Sequence, residues 1–384
     1  MSNNNATSHS LLILNANGLA KHKDELLVIL QNNRIDIALI SETHFTNSTH
    51  FYLPGFQVFK TNHPDGTAHA GAAIIVKSSL LFYPLPQFQT NHIQASGIQI
   101  TLNNTPLNIF AVYSPPRHTI TLNQFNDFFL TLGHTFIIGG DLNAKNIQWG
   151  CHVNNPRGNL LELTTQNRNY KVHSPPSPTY WPTSPRKRPD ILDIFISKIP
   201  NSLHSLTTNL NDLYSDHSAI LLTIDTAPLA KPKQPNLILG QIDWVKFKSS
   251  LDNQCNLKIS LKSPNDIDEA VHLLTKSIQE AAWSSSSPMP TTNTSINLPL
   301  HIRILISEKR RARATWQRTK YPSDKRKLNN LTNKLKRLLA SIRSDNFAKR
   351  LVSLSSTDNS LWQTTRKILR TKQSVPPLKK TDGT

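Results

Sequence analysis

Cysteine is nearly missing: Cys151 and Cys255 are the only two in 384 residues, far apart and without C-x-x-C spacing. Neither a disulfide framework nor a cysteine zinc site is expected, and a reducing compartment fits. No apolar stretch approaches the roughly 20 residues of a membrane span, so no membrane partner is expected. The first ten residues, MSNNNATSHS, lack a basic start and the apolar run of a signal peptide. No internal repeat is evident. Acids are scarce, 24 Asp+Glu against 43 Lys+Arg, which gives a net charge of +19.

That charge is unevenly placed. Residues 1–227 carry 14 Lys+Arg and 13 Asp+Glu, residues 228–300 carry 7 and 6, and residues 301–384 carry 22 and 5. The basicity therefore belongs to one tail, and a tail of this density points to a polyanion, nucleic acid before others. The plainer alternative is a solvated helical face that keeps the chain soluble.

The first 227 residues alternate short Ile/Val-rich runs with turns. Strands are expected at 11–18, 35–42, 56–61, 72–78, 93–101, 107–114, 135–141, 191–197 and 218–224. Helical spacing of apolar residues marks 19–33, 121–132 and 158–169. Strands outnumber interspersed helices, which predicts an α/β sandwich: a two-layered sheet core with helices outside. The chain divides into a disordered N-terminus (1–10), the sandwich (11–227), a Pro-punctuated linker (228–240), a helical segment (241–283), a flexible low-complexity linker (284–300) and a basic, mainly helical tail (301–384).

The stretch TFIIGGDLNA (135–144) runs a buried strand into two glycines, then Asp141 and Asn143. Two residues apart in extended chain, the acid and the amide point to the same side. Other strands end in the same way: Asn17 in LNANG, Glu42 in LISETH, Tyr113 in AVYSPP, Asp193 in RPDILDIFIS, and Asp216 with His217 in YSDHSAI. Each has a cheaper explanation: a turn residue for Asn17, a helix N-terminal charge for Glu42, a core edge for Tyr113, a pairing with Arg186 or Arg188 for Asp193, an N-cap for Asp216, a surface histidine for His217. Taken together, acids, amides and a histidine at the ends of buried strands point to one convergent polar site.

The order NxNG, SETH, VYSPP, GGDLNA, LDIFIS, SDH resembles the endonuclease/exonuclease/phosphatase superfamily, which includes DNase I and the apurinic/apyrimidinic endonucleases. Within it, LNANGL, ISETH, GFQVFKTNHPDG, AGAAIIV, AVYSPP and RPDILDIFIS resemble the endonuclease of jockey-type non-LTR retrotransposons, over roughly residues 10–226. The basic stretch ending PPLKKTDGT is similar to the connector before such elements' reverse transcriptase. The resemblance implies a four-layer, DNase I-like sandwich of two packed mixed sheets flanked by helices. It also implies a nick in double-stranded target DNA that leaves a 3′-hydroxyl, the primer for reverse transcription of the element's RNA. The element's RNA and a downstream reverse transcriptase domain are then further partners. The nucleus is the site of action, with a cytoplasmic ribonucleoprotein stage. The chain shows no Tyr-x-Asp-Asp polymerase signature, so the expectation is an endonuclease rather than a polymerase.

Residue chemistry agrees. A phosphodiester is already anionic, so attack on it needs charge neutralisation by a hard divalent cation such as Mg²⁺, with Mn²⁺ as a substitute. Glu42 is the first ligand candidate, with Asn17 and Asp216. Asp141 suits a general base for water, Asn143 orients the water or a phosphate oxygen, and Tyr113 can hydrogen-bond that phosphate. His217 can stabilise charge developing in the transition state. The resemblance makes Asp193 its acid partner, in preference to Asp190, and makes Thr179 a DNA-contacting position. Arg186, Lys187 and Arg188 are the candidate DNA-binding cations nearby. Two rival readings are a phosphoesterase of the same fold acting on another phosphate ester, and a nucleic-acid-binding remnant with a dead site.

Overall fold

In β1 (His9–Asn15), Leu11 and Ile13 point to one face and Leu12 and Leu14 to the other, and all four are fully buried. A strand apolar on both faces must be covered on both. The computed structural model meets this need with two stacked sheets and helices outside each. It describes residues 9–102, 105–184, 186–200, 203–210, 215–226, 242–254, 261–286, 298–357 and 359–369. They form two compact units, one from residues 1–230 and 296–384, the other from 231–295.

In the first unit, β1 is joined by β2 (Ile37–Ser41), β3 (Phe56–Thr61), β4 (Ala72–Lys77), β12 (Ser205–Leu210) and β13 (Ala219–Ile224), in the order β12-β13-β1-β2-β4-β3. The second sheet holds β5 (Phe82–Pro84), β7 (Gln94–Leu102), β8 (Thr105–Tyr113), β9 (Phe136–Asp141), β10 (Lys171–His173) and β11 (Asp193–Lys198), in the order β10-β11-β9-β8-β7-β5, with β6 (Phe88–Gln89) also on β7. Each sheet has one parallel pair, β1/β2 and β8/β9; every other pairing is antiparallel. The sheets are therefore mixed, as expected.

The layers follow from strand alternation. Leu11, Ile13, Leu39 and Ile74 meet Ile98, Ile109 and Ile137 of the other sheet between the two. Leu12, Leu14 and Ile40 face outward to Leu26, Ile29 and Leu30 of α1 (Lys23–Asn32). On the far side, Phe136 and Ile138 face Phe125, Phe128 and Phe129 of α2 (Leu122–Leu130) and Leu161 of α3 (Pro156–Asn167). The nine expected strands and three expected helices all form. Four strands are additional: β5, β6 and β10 are only two or three residues long, and β12 reads SLTTNL, too polar to signal a strand but stable as an edge on β13. The expected disorder of 1–10 fails at its end, because His9 and Ser10 pair with Ile224 and Thr223, and Asp36 accepts a hydrogen bond from the Ser10 N–H; residues 1–8 lie outside the described residues.

The linker expected at 228–240 lies outside the described residues, as does most of 284–300. In the second unit, α4 (Trp244–Gln254) and α5 (Pro264–Ser285) supply the helices expected at 241–283. The basic tail expected to be mainly helical begins with two helices. They are α6 (Leu300–Thr319) and α7 (Pro322–Val352), divided because Lys320 turns left-handed at φ 57° and Pro322 can only start a helix. Helix α7 folds back along α6, and Ile302, Leu305, Leu335 and Leu339 pack with Val28 of α1. The hairpin thus lies in the same compact unit as the sandwich, and the boundary drawn at residue 301 is a change of composition, not of packing. A further helix, α8 (Ser360–Leu369), follows.

Candidate active site

The two parallel pairs end at the same place. Asn15 and Ser41 are register partners at the end of β1/β2, and Tyr113 and Asp141 are partners at the end of β8/β9. Across β9/β11, Asp141 pairs with Asp193. Carboxyl ends of parallel strands leave backbone and side-chain polar groups pointing into a crevice. The glycines before Asp141 let the sheets close there: a Cβ on Gly139 would lie 2.7 Å from Ile13 Cδ1, and one on Gly140 would lie 1.8 Å from the Val112 carbonyl oxygen. The two glycines thus serve a steric need and deliver the Asp141 carboxylate where the two sheets meet.

Six of the expected residues converge on a cleft of about 660 Å³ lined by Glu42, Asp141, Asn143, Lys187, Asp216 and His217. Asp193 and Tyr113 lie just behind its wall. His217 Nδ1 is 2.6 Å from Asp193 Oδ2, and His217 Nε2 is 3.8 Å from Asp141 Oδ2. Burial opposes the imidazolium, but the Asp193, Asp141 and Asp216 carboxylates outweigh it and raise His217 to about 10. Burial, then the Asp193 and Glu42 charges, push Asp141 up to about 7, against His217 and the Asn143 N–H. Glu42 goes the other way. Burial raises it, but hydrogen bonds from His44, Asn15 and Tyr113 prevail and hold it at about 2. The Tyr113 hydroxyl donates to Glu42 Oε1 at 2.9 Å, so Tyr113 orients this carboxylate rather than facing the cleft freely. Asn143, left-handed at φ 49°, donates its N–H to Asp141 Oδ1 at 2.9 Å and its amide to the Ser114 carbonyl.

Two expectations are corrected. Asn17 is exposed and serves the turn: it is left-handed at φ 44°, and its N–H bonds Asn15 Oδ1. The amide in the site is Asn15, fully buried, which donates to Asp141 Oδ2 at 2.8 Å. The Asn-Gly at 17–18 is a turn signature, which could have directed the choice to the strand residue before it. Thr179 is fully buried and does not face DNA; its hydroxyl accepts from the N–H groups of Leu192 and Asp193 and so fixes the start of β11. Arg186 and Arg188 are exposed and do not line the cleft, whereas their neighbour Lys187 does. Asp190 bonds the N–H groups of His152 and Ile191 and pairs with Lys145 at 2.9 Å, a structural task that leaves the site to Asp193.

One buried residue gave a signal that was passed over. Arg157 sits in the first turn of α3, where the helix dipole disfavours a cation. It is held there by donating to the carbonyls of Ser114, Pro115, His118 and Leu142. That clamp joins the loops on either side of the cleft.

The donor set suits a hard divalent cation. Glu42, ionised and on the cleft wall, Asp216, and Asn15 behind them are oxygen donors, the ligand type that hard divalent cations take. Two His/Asp groups also bring ligand atoms within 4.8 Å of one another among the described residues, Asp141–Asp193–His217 and, in the β3–β4 loop, His63–Asp65–His69. In the first, the His217 Nδ1 is already engaged by Asp193, which makes it a charge-holding chain.

Residues 107–221 match the endonuclease–reverse transcriptase family. The chain is 32% identical over 381 residues to a probable RNA-directed DNA polymerase from transposon X-element of Drosophila melanogaster, covering 97% of this chain and 42% of that protein. It is 32% identical over 360 residues to the RNA-directed DNA polymerase from mobile element jockey of the same organism, covering 92% and 39%. The chain thus spans about two fifths of the length of these relatives. Among solved structures, the endonuclease domain of TRAS1, a telomere-specific non-LTR retrotransposon, is similar with a TM-score of 0.47, 23% identity, and coverage of 57% of this chain and 98% of that one. The catalytic domain of Xenopus laevis APE2 gives a TM-score of 0.45, 15% identity, and coverage of 58% and 94%.

Proposed function

We propose that this chain, which matches the endonuclease–reverse transcriptase family over residues 107–221 and is 32% identical to RNA-directed DNA polymerases of the X-element and jockey transposons, is a jockey-type endonuclease that hydrolyses one phosphodiester of double-stranded DNA, with Mg²⁺, to leave a 3′-hydroxyl end. The observation that carries this reading is the chain Asp193–His217–Asp141, closed on its other side by Asn15 and Glu42. Two carboxylates and an imidazole share one cleft yet are shifted differently: Asp141 and His217 upward, Glu42 downward. Environments that push neighbouring titratable groups apart separate acid from base roles.

Each role follows from its contacts. Asp141, raised to about 7, takes a proton from the attacking water near neutral pH. Asn15 and Asn143 fix its two oxygens, so the carboxylate does not turn away from the cleft. His217 stays cationic, with Asp193 holding Nδ1, and presents Nε2–H to a phosphate oxygen as charge builds there. Glu42, Asp216 and Asn15 would hold Mg²⁺, which, when bound, neutralises the phosphate and the leaving oxygen. Lys187 on the cleft wall and the exposed cations of α6 and α7 bind the DNA backbone. The product end, extended by a polymerase on the element's RNA, places the reaction in target-primed reverse transcription in the nucleus.

The test is conversion of supercoiled plasmid to open circle. Nicking with Mg²⁺, its loss in EDTA, a ligatable 3′-hydroxyl end, and its loss in Asp141→Ala and His217→Ala are expected. DNA binding without any metal-dependent nicking by the unaltered chain would overturn the reading. Release of inorganic phosphate from a soluble monoester, with plasmid intact, would reassign the substrate.

A further inference from the structure

Helix α6 touches the sandwich at the segment that carries His217. Arg313, 2% exposed although it is an arginine, donates from Nη2 to the His217 carbonyl at 2.8 Å and to the Ser215 carbonyl at 3.2 Å. One turn on, Gln317 Nε2 donates to Ser218 Oγ at 3.2 Å. Trp316, between them, packs with Trp181, and the Trp181 N–H donates to the Asp216 carbonyl at 2.8 Å. The Lys320 ammonium, at the end of the helix, lies 4.9 Å from the Trp181 ring centroid and 4.4 Å from that of Trp316, and it reaches the Pro182 carbonyl at 3.4 Å. Burying a guanidinium is costly unless it is well hydrogen-bonded. Here the acceptors are backbone carbonyls of the segment that carries Asp216 and His217.

We propose that Arg313 is a positioning residue for the proposed nuclease: helix α6 fixes the backbone of residues 215–218, and the cleft is complete only with the basic hairpin docked. The inference rests on the nuclease reading for its catalytic consequence, and on the contacts alone for the buttress. The His217 ring is set by two constraints. Asp193 holds its Nδ1, and Arg313 holds its carbonyl. Loss of the second lets the imidazole keep its charge but move against Asp141, and a misplacement of about 1 Å costs on the order of 10²-fold in rate. A lysine keeps the charge, but its ammonium stops one bond short of the Nη2 that makes both carbonyl contacts.

The experiment compares the full chain with Arg313→Met, Arg313→Lys and Gln317→Ala, measuring plasmid nicking over a range of DNA concentrations and amide hydrogen exchange at 215–219. Arg313→Met is expected to lower kcat about 10- to 100-fold with KM within about twofold, and to speed exchange at 215–219 alone. Arg313→Lys should recover part of kcat. Gln317→Ala, the milder cut at the same seam if Arg313→Met does not fold, should lower kcat about fivefold. An unchanged kcat, or a change confined to KM, in a folded variant overturns the inference and leaves the nuclease reading standing. If the unaltered chain does not nick, the nuclease reading falls, and exchange alone decides the buttress: faster exchange at 215–219 supports it and unchanged exchange overturns it.

Discussion

The sandwich and the hairpin packed on it treat charge in opposite ways. Residues 1–227 carry almost balanced charge, and acidic and basic side chains of the sandwich face one another: His217 with Asp193, Lys145 with Asp190, His9 with Asp36. The hairpin has few acids of its own. Lys309 turns inward to Glu25, Arg343 takes both oxygens of Asp24, Arg313 takes backbone carbonyls, and Arg310, Arg311, Arg318, Lys327 and Lys334 are exposed. Paired charge in a buried site sets protonation states and so serves chemistry. Exposed charge on a surface serves range, because its field draws a polyanion from solution. The difference teaches that the two regions need different tests: one loses rate, the other loses salt-dependent affinity.

The strongest break of that contrast comes from the cleft. Asp141→Ala and His217→Ala are each expected to slow nicking about 10³-fold or more, since they remove the proposed base and the proposed charge stabiliser. The double variant should be little worse than the poorer single one, as residues that act as a unit do not add. Filter binding should show an unchanged salt slope for Asp141→Ala and a loss of no more than one contact's share for His217→Ala. A slope flattened by several contacts' worth would mean that the cleft, not the hairpin, supplies the long-range attraction.

Next in size is the seam. Lys309 and Glu25 are both buried, at 2% and 6% exposure. Lys309→Met strands the Glu25 carboxylate and is expected to cost about 3 kcal/mol by chemical denaturation. Adding Glu25→Leu should return most of it, because an apolar pair of similar volume replaces a buried ion pair at little loss. If Lys309→Met alone is neutral, the pair does not hold the hairpin down.

His22 reports on the same seam through pH. It closes the 3-10 turn Leu19–His22, and burial, then Lys336 of α7, Lys21 and Lys309, push it down to about 3. A histidine harder to protonate when folded binds more protons unfolded, so stability is complete above the unfolded value near 6.5 and falls as pH drops toward 3. Between pH 6.5 and 5 the loss is about 2 kcal/mol. His173, held at about 4 by burial and Lys171, loses stability over the same range. The difference between the parent and His22→Gln therefore isolates His22. Parallel pH curves for the two proteins would remove His22 from the seam.

Most of the sandwich was legible because burial on both faces writes itself into β1, β2, β8 and β9 as unbroken apolar runs. The site was legible because strand ends are where a buried element must change to polar residues, and Glu42, Asp141, Asp193 and His217 stand at such ends. Asn15 was passed over for Asn17 since both amides follow the same apolar run; only backbone geometry separates the last strand residue from the first turn residue. Thr179 shows the same limit, as a hydroxyl that caps a strand and one that meets DNA are spelled alike. The hairpin was legible as charge and period but not as position. Nothing in LHIRILISEKRRARATWQRT tells which two cations turn inward, because the answer lies in Glu25 and in carbonyls nearly a hundred residues earlier.

The smallest effects sharpen the contrast most finely, because they should be uniform. Arg311, Arg318 and Lys327 are exposed on the hairpin, and each phosphate contact contributes about −0.9 to the slope of log K against log salt concentration. Changing any one to Gln should flatten that slope by about 0.9. It should do so alike for unrelated DNA sequences, since phosphate contacts carry no base information. Lys187→Gln in the cleft wall removes a charge of the same sign but at the site of reaction, so it should lower the nicking rate as well as the slope. A hairpin variant that altered cutting preference among sequences would place its side chain in a groove rather than on the backbone. The division between a cleft that reacts and a hairpin that attracts would then have to be redrawn at that residue.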